Sequence, residues 1–298
     1  MNIIQLRSFK YVVDEMSVTK AARRLFVTQS AVSQQIRLLE ESLECKLFYR
    51  QGQHIQVSQD GEFIYQKAKN IISQFEGLRD ELKSRGENVV GKIKIGSGPI
   101  ISKELLPDVV SNILTNYPDV SFSLFESYSN DLIKAIIESR IDLGLGQIDD
   151  NDKRIVSEKL LTGRLVLICS SESDCRSLKS VSLQDLSKLN LIRRVGDVES
   201  TYVTEVMQNN GNSNDLQLKA MNTETIIPYV RRDMGVAIAA DYIINLLKPE
   251  GISVINLEDK IPVSWGIMRD KFRPISKAEQ IFIDNLKQKI SAFSPFSL

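Results

Sequence analysis

Residues 17–43 read SVTKAARRLFVTQSAVSQQIRLLEESL, and their spacing predicts two short helices joined by a tight turn. Ser17 is a good N-cap, and the helix after it carries apolar Val18, Ala22 and Leu25. The turn falls at Phe26 and Val27. Thr28 is a second N-cap, followed by a helix whose apolar row is Val32, Ile36, Leu39 and Leu43. Steps of four, three and four along that row lay a single stripe against a core.

The opposite face of the second helix carries Gln29, Ser30, Ser33, Gln34 and Arg37. A merely solvated face would be rich in Lys and Glu. Gln and Arg each make paired hydrogen bonds to base edges, and Ser donates or accepts. A helix-turn-helix sets the start of its second helix in the major groove. An ordinary pair of surface helices would satisfy a looser form of the pattern.

The wider pattern is more specific. Ser17-Val-Thr19, Ala21-Ala22, Leu25, Gln29-Ser30-Ala31-Val32-Ser33, Ile36, Leu39-Glu40, Leu43, Leu47-Phe48, Arg50 and Gly61 stand at the spacing of the LysR-type transcriptional regulators, which this chain resembles. Three departures are small. Glu44-Cys45 replaces a Gly and a variable residue, Ser30 a common Pro, and Ser58 a usual Thr. The resemblance implies an α/β protein with a winged helix-turn-helix at its N-terminus. A long linker helix and a two-lobed regulatory domain like the periplasmic binding proteins would follow. It also implies DNA contacts at Ser17, Thr19, Thr28, Gln29, Ser30, Ser33, Gln34 and Arg37, with Arg50 on phosphate.

Composition agrees with a soluble globular protein of two or three domains, since 42% of the 298 residues are hydrophobic and core-building is not limiting. No apolar run reaches transmembrane length and no basic-then-apolar leader opens the chain, so the expected place is the cytoplasm, with no membrane partner. The formal net charge is zero, and residues 1–60 hold eight Lys/Arg against six Asp/Glu. So small an asymmetry points to binding by shape and base contacts, with two copies cooperating. Three cysteines and one histidine, His54, cannot build a Cys/His metal site of regular spacing, and no cofactor is implied.

Leu6, Phe9 and Val13 predict a first helix over residues 3–15 that supplies core. Residues 49–57 read as a hairpin, the wing of the family, with His54 a solvated loop residue. Ser58 caps a helix expected to run to about Arg85, with Ile64, Ala68, Ile71, Phe75, Leu78 and Leu82 in heptad register. That row favours a dimer seam over a helix lying on its own domain, and the family dimerises there. Gly86 stops the helix. The expected domains are 1–58 for DNA, 59–90 for the linker and hinge, and 91–298 for regulation. Lobe 1 would take about 91–162 and 269–298, and lobe 2 about 163–268.

From Gly91 the elements alternate strand and helix, which means a parallel sheet with helices on its faces. Strands are expected at 92–96, 120–125, 141–146, 165–169, 191–192, 216–220, 235–239 and 263–268. Helices are expected at 102–116, 129–139, 201–209, 226–232 and 276–293. The chain would cross between lobes near Leu161–Gly163 and near Met268–Lys271.

In such a sheet ligands bind beyond the carboxyl ends of the strands, where helix N-termini present free N–H groups. Ser97, Ser102, Ser129, Asn222 and Thr223 fall there; each alone reads first as a helix cap or Asx-type turn, and their convergence is what makes a cleft. In the family such positions hold a small effector. Ile100 stands where several relatives place a contacting Ser or Thr. Arg193 and Arg194 suit an anion as readily as a salt bridge, which makes an organic anion the favoured effector. The resemblance adds promoter DNA and RNA polymerase as partners, a homodimer through the linker helix, and a homotetramer.

Two other functions compete with this one. An enzyme lacks support: the only histidine lies in the wing, and Gly96-Ser97-Gly98 lacks the rest of any phosphate-binding pattern. A redox sensor would use Cys169 and Cys175, which a folded-back loop would bring within disulfide range.

Overall fold

The computed structural model describes residues 1–51, 54–83, 89–148, 152–194 and 218–292. Helix α1 (Ile3–Glu15) opens with a reciprocal cap: Asn2 Oδ1 accepts from Gln5 N–H at 3.0 Å and Gln5 Oε1 from Asn2 N–H at 2.8 Å. Helices α2 (Val18–Leu25) and α3 (Gln29–Leu43) follow, with Phe26 in the left-handed region between them (φ 58°). Phe9, Val12, Ala21, Val32 and Leu39 are fully buried, so the three helices share a core. Val12, rather than Val13, is the innermost valine of α1.

Strands β1 (Phe48–Gln51) and β2 (His54–Val57) form the antiparallel wing. Glu40 ties it to α3, because one carboxylate oxygen accepts from Leu47 N–H at 2.9 Å and Phe48 N–H at 3.4 Å. Ser58 Oγ accepts from Gly61 N–H at 2.8 Å and so caps α4 (Gln59–Lys83). A Cβ on Gly61 would stand 2.4 Å from Leu47 O, which leaves room only for glycine. The heptad row of α4 is split. Ala68 is buried with Ile72, and Ile64 packs beside them against the N-terminal core. Ile71, Phe75 and Leu78 are 41%, 48% and 51% exposed. The expected seam is therefore a core face in its first half and an uncovered apolar stripe in its second. The Leu82 side chain and residues 84–88 lie outside the described residues.

Among the described residues, the rest of the chain is built on an eight-stranded mixed sheet, with a separate two-stranded pair. Its first half comprises β3 (Gly91–Ser97), α5 (Pro99–Glu104), α6 (Leu106–Asn116), β4 (Val120–Glu126), α7 (Ser129–Ile137) and β5 (Leu143–Gln147). The helix expected over 102–116 is two helices, because Pro99 and Pro107 each start one. Then come β6 (Ile155–Ser170), β7 (Ser180–Val181), β8 (Arg193–Arg194), β9 (Lys219–Ala220), α8 (Thr223–Arg231), β10 (Ala237–Ala240), α9 (Asp241–Leu247), β11 (Ile252–Leu257), β12 (Pro262–Asp270) and α10 (Lys277–Ala292). The sheet runs β4-β3-β5-β12-β6-β11-β7, with β10 also paired to β6.

Only β3/β4, β3/β5 and β11/β7 in that sheet are parallel; β6 and β12 run antiparallel to every neighbour. The parallel sheet expected from Gly91 onward is found for β3, β4 and β5, and the later strands make the whole sheet mixed. The long strand β6 begins ten residues before the expected Leu165, because its first half is mostly half-exposed or exposed and shows neither a long apolar run nor strict alternation. Leu191 makes one isolated bridge to Val236, and the strand pairing lies one step on, at Arg193 and Arg194 with Lys219 and Ala220. The helix expected over 201–209 lies outside the described residues.

Strand β6 leaves β12 after Arg164 and takes up β10 from Leu165. Strand β12 pairs with β5 from Trp265. The second crossing therefore sits at Pro262–Ser264, ahead of the expected Met268–Lys271. Asp142 supports the first half: its Oδ2 accepts from Lys94 N–H at 2.8 Å, and Arg273 stands 3.7 Å away with its guanidinium also on Glu279 at 2.7 Å. Burial first, offset by Arg273, leaves the Glu279 carboxyl above the ordinary range.

Candidate functional site

Two surfaces bring the singled-out residues together. On α3, Thr28 Oγ1 accepts from Ala31 N–H at 3.2 Å and lies 3.0 Å from Ser30 Oγ. Ser17 Oγ caps α2 by accepting from Lys20 N–H at 3.3 Å. Thr19, Gln29, Ser30, Gln34 and Arg37 are exposed, and Ser17 and Ser33 half-buried. Gln29 Nε2 reaches Ser33 Oγ at 3.5 Å, so the face is already loosely ordered. Arg37 Nε pairs with Glu41 Oε1 at 3.2 Å, one turn along the helix. Exposed pairs of this kind are worth only about 0.3–0.5 kcal/mol. Arg50 belongs to β1, and its side chain lies outside the described residues.

Sequence reasoning passed over three residues beside this face. Phe26 is 95% exposed at the turn, although an apolar residue there reads as core. Lys20 and Arg23 are exposed on α2, and neither pairs with a described carboxylate. Their only signal was position, one helix ahead of the polar face.

The second surface is a cavity of about 90 Å³ where the two halves of the sheet meet. Pro99, Ile100, Tyr128 and Gln147 line it from the first half, Arg194, Asn222, Thr223 and Tyr242 from the second, and Trp265 from the crossing strand. Arg194 Nη1 donates to Thr223 Oγ1 at 3.3 Å. Asn222 Oδ1 accepts from Thr225 N–H at 2.7 Å and caps α8, whose N-terminus thus faces the cavity. The N-termini of α5 and α7 lie beside it, at Gly98–Pro99 and Tyr128. A guanidinium and helix N-termini around an otherwise apolar wall favour a negative charge at one end of a small ligand.

Of the expected ligand residues, Ile100, Asn222 and Thr223 line this cavity. Ser97 and Ser102 do not: both are buried, and their hydroxyls lie 2.6 Å apart, spent on each other. Arg193 does not line it either, because successive residues of a strand point to opposite faces and Arg194 takes the inward position. Ser129 is the first residue of α7 and not its cap, which is Tyr128; the Ser129 side chain lies outside the described residues. The preceding Ser127 instead donates to Asp131 Oδ2 at 3.1 Å and lines the cavity. Tyr128, Gln147 and Trp265 carried no sequence signal, since each is ordinary for a strand end or strand.

Among the described residues no helix is long and apolar enough to cross a membrane, and no three His, Cys, Asp or Glu gather as a metal site.

Residues 3–62 match the family model of the bacterial regulatory helix-turn-helix proteins, lysR family, and residues 86–291 the LysR substrate binding domain. The chain is 28% identical over 297 residues to the uncharacterized HTH-type transcriptional regulator YoaU of Bacillus subtilis (strain 168), covering 96% of this chain and 98% of that one. A full-length OxyR variant from Pseudomonas aeruginosa shares its fold with a TM-score of 0.72 at 19% identity, over 96% of this chain and 98% of that one. Full-length CbnR, solved in complex with its target DNA, gives a TM-score of 0.61 at 17% identity, over 97% of this chain and 100% of that one. The chain thus belongs to the LysR family: it is a DNA-binding transcriptional regulator with an effector-binding domain, and not an enzyme.

Proposed function

We propose that this regulator senses a small organic anion in the cleft between the two halves of its sheet, and that occupancy changes how it holds promoter DNA. The reading rests on one observation: Arg194 is held against Thr223 inside a cavity that both halves line. A carboxylate there would take the guanidinium and the N–H groups at the start of α8. Ile100, Tyr242 and Trp265 would cover its apolar part. A volume of about 90 Å³ is below the roughly 150 Å³ that accommodates benzene, so the effector is a short-chain carboxylate or the charged end of a larger one that opens the cleft. An anion that binds one arrangement of the halves better than the other shifts their equilibrium by that difference.

On the DNA side, Gln29, Ser30, Ser33, Gln34 and Arg37 read base edges. Ser17, Thr19, Thr28 and Arg50, joined by Lys20 and Arg23, hold phosphates. The stripe at Ile71, Phe75 and Leu78 pairs two linker helices into a homodimer, and two dimers form a homotetramer on the promoter. The protein works in the cytoplasm, with RNA polymerase as a further partner.

Trp265 is the only tryptophan and lines the cleft, so its emission reports occupancy. Titration with a panel of short carboxylates should change that emission for at least one member. Arg194→Gln should weaken the response about tenfold or more, as expected for a lost charge-assisted pair. Equal affinity in the parent and Arg194→Gln would remove the anion from this cleft.

A further inference from the structure

A larger cavity, of about 500 Å³, lies elsewhere, between the DNA-binding unit and the first half of the regulatory sheet. Helix α1 contributes Arg7, Lys10 and Asp14, and α4 contributes Tyr65, Lys69 and Glu76. From the other side come Lys94 on β3 and Glu138, Ser139 and Arg140 after α7. Its lining thus holds five cations and three carboxylates.

Each carboxylate is already engaged. Asp14 pairs with Lys10 at 2.5 Å, Glu76 with Arg7 at 3.0 Å and Glu138 with Arg140 at 2.7 Å. Asp14 also accepts from the Tyr65 hydroxyl at 2.5 Å, which fixes that ring. The Lys69 ammonium lies 4.6 Å from the Tyr65 ring centroid. Lys69 and Lys94 are both half-buried, and neither pairs with a described carboxylate. Burial, reinforced by Lys10 and Arg140, pulls the Lys69 ammonium below its ordinary range despite the pull of Glu138 and Asp14. Lys69 and Lys94 line the same cavity, and a partly desolvated ammonium such as that of Lys69 is costly until a counter-charge enters. Ser139 hydrogen-bonds Asn70 beside them, so the two walls already touch.

We propose that this inter-domain cavity is a second binding site, for a small dianion held by Lys69 and Lys94 between the linker helix and the regulatory sheet. Phosphate, a phosphoryl group on a small metabolite, and a dicarboxylate share this chemistry. The guanidiniums of Arg7 and Arg140 are taken by carboxylates, and Lys serves as a point charge for such an ion. The ion bridges the DNA-binding unit and the regulatory domain of one chain, and it fastens the angle between them independently of the cleft.

The test is thermal melting of the full chain at constant ionic strength in phosphate, succinate and acetate. A ligand confined to the native state raises the melting temperature with its concentration. The dianions should raise it more than acetate. A larger shift with phosphate than with succinate assigns the site to phosphoryl groups, and the reverse assigns it to dicarboxylates. Lys69→Gln/Lys94→Gln should lose the dianion shift, while Arg194→Gln keeps it and Trp265 emission stays unchanged. Without dianion the double variant should melt no lower than the parent, since a half-buried charge is removed. If it melts lower, Lys94→Gln alone carries the comparison. Equal dianion shifts in the parent and the lysine variant, or a shift lost instead in Arg194→Gln, overturns the proposal.

Discussion

Asp241 and Gly163 meet where β6 crosses between the two halves: a Cβ added at Gly163 would lie 2.1 Å from Asp241 Oδ1. That oxygen accepts from Arg164 N–H at 3.1 Å and Tyr242 N–H at 2.7 Å. The carboxylate thus pins the start of α9 to the crossing strand, and the strand must be bare to receive it. Gly163→Ala should destabilise the protein by about 1–3 kcal/mol, the usual cost of overpacking. In a double-mutant cycle with Asp241→Ala the two losses should fall short of their sum, because the severest clash goes with the carboxylate and only the 3.0 Å approach to Tyr242 Cδ1 remains. Additive losses in urea denaturation would show that Gly163 is required for some other reason.

The Arg37–Glu41 pair sets a second expectation. Glu41→Gln frees the guanidinium and removes a negative charge beside the duplex. Specific binding should tighten roughly twofold at low salt, the equivalent of the about 0.5 kcal/mol such a pair is worth, and less at high salt. Gln34→Ala should instead cost about 1–3 kcal/mol on specific DNA and almost nothing on random DNA. Fluorescence anisotropy on an operator selected from a random pool measures both. Loss on both kinds of DNA in Gln34→Ala would argue against base reading.

Assembly is testable because the apolar row of α4 is split. Ile71→Asp with Phe75→Asp alters only the exposed stripe and leaves buried Ala68 and Ile72 in place. The double variant should keep its helical circular dichroism, yet sediment as a smaller species than the parent at equal concentration. An unchanged sedimentation coefficient would mean that this stripe pairs with nothing.

The cysteines make a fourth case. Cys169 is fully buried, and burial pushes its thiol up; Cys175 is half-buried. Iodoacetamide at neutral pH should label Cys169 far more slowly than Cys175 in the native protein and at a similar rate in urea, because only an accessible thiolate reacts. Rapid native labelling of Cys169, read by mass spectrometry, would favour the redox-sensor alternative.

The helix-turn-helix was readable from sequence because its rules are local: two N-caps, two apolar rows and a turn lie within one stretch of chain. Of the parallel strands, β5 was readable as an apolar run because it is buried almost throughout, and β3 and β4 were readable from short alternations of apolar and polar residues. The first half of β6 was not. Val156, Glu158 and Leu160 lie on a strand whose partners come more than a hundred residues later, and half-exposed strands carry no such run. Asn222 and Thr223, singled out because a cap marks a helix start there, do line the cavity. Ser97 and Ser102 do not line it, because sequence cannot tell a hydroxyl that faces a cavity from one that faces another hydroxyl. The choice between Arg193 and Arg194 depended on the phase of a two-residue strand, which one register step reverses.

Arg164 and Pro262 stand directly opposite each other in the antiparallel ladder between β6 and β12. Seen from that pair, β6 and β12 are the two arms of a hairpin, and everything between residues 164 and 262 is an insertion at its tip. A two-residue turn spans the same gap in ordinary hairpins. The inserted half therefore enters and leaves through one doorway a single strand spacing wide. In architectural terms it is a module that recombination can exchange without cutting any other strand of the first half. Its effector preference can then diverge while the surfaces around β3, β4 and β5 stay as they are.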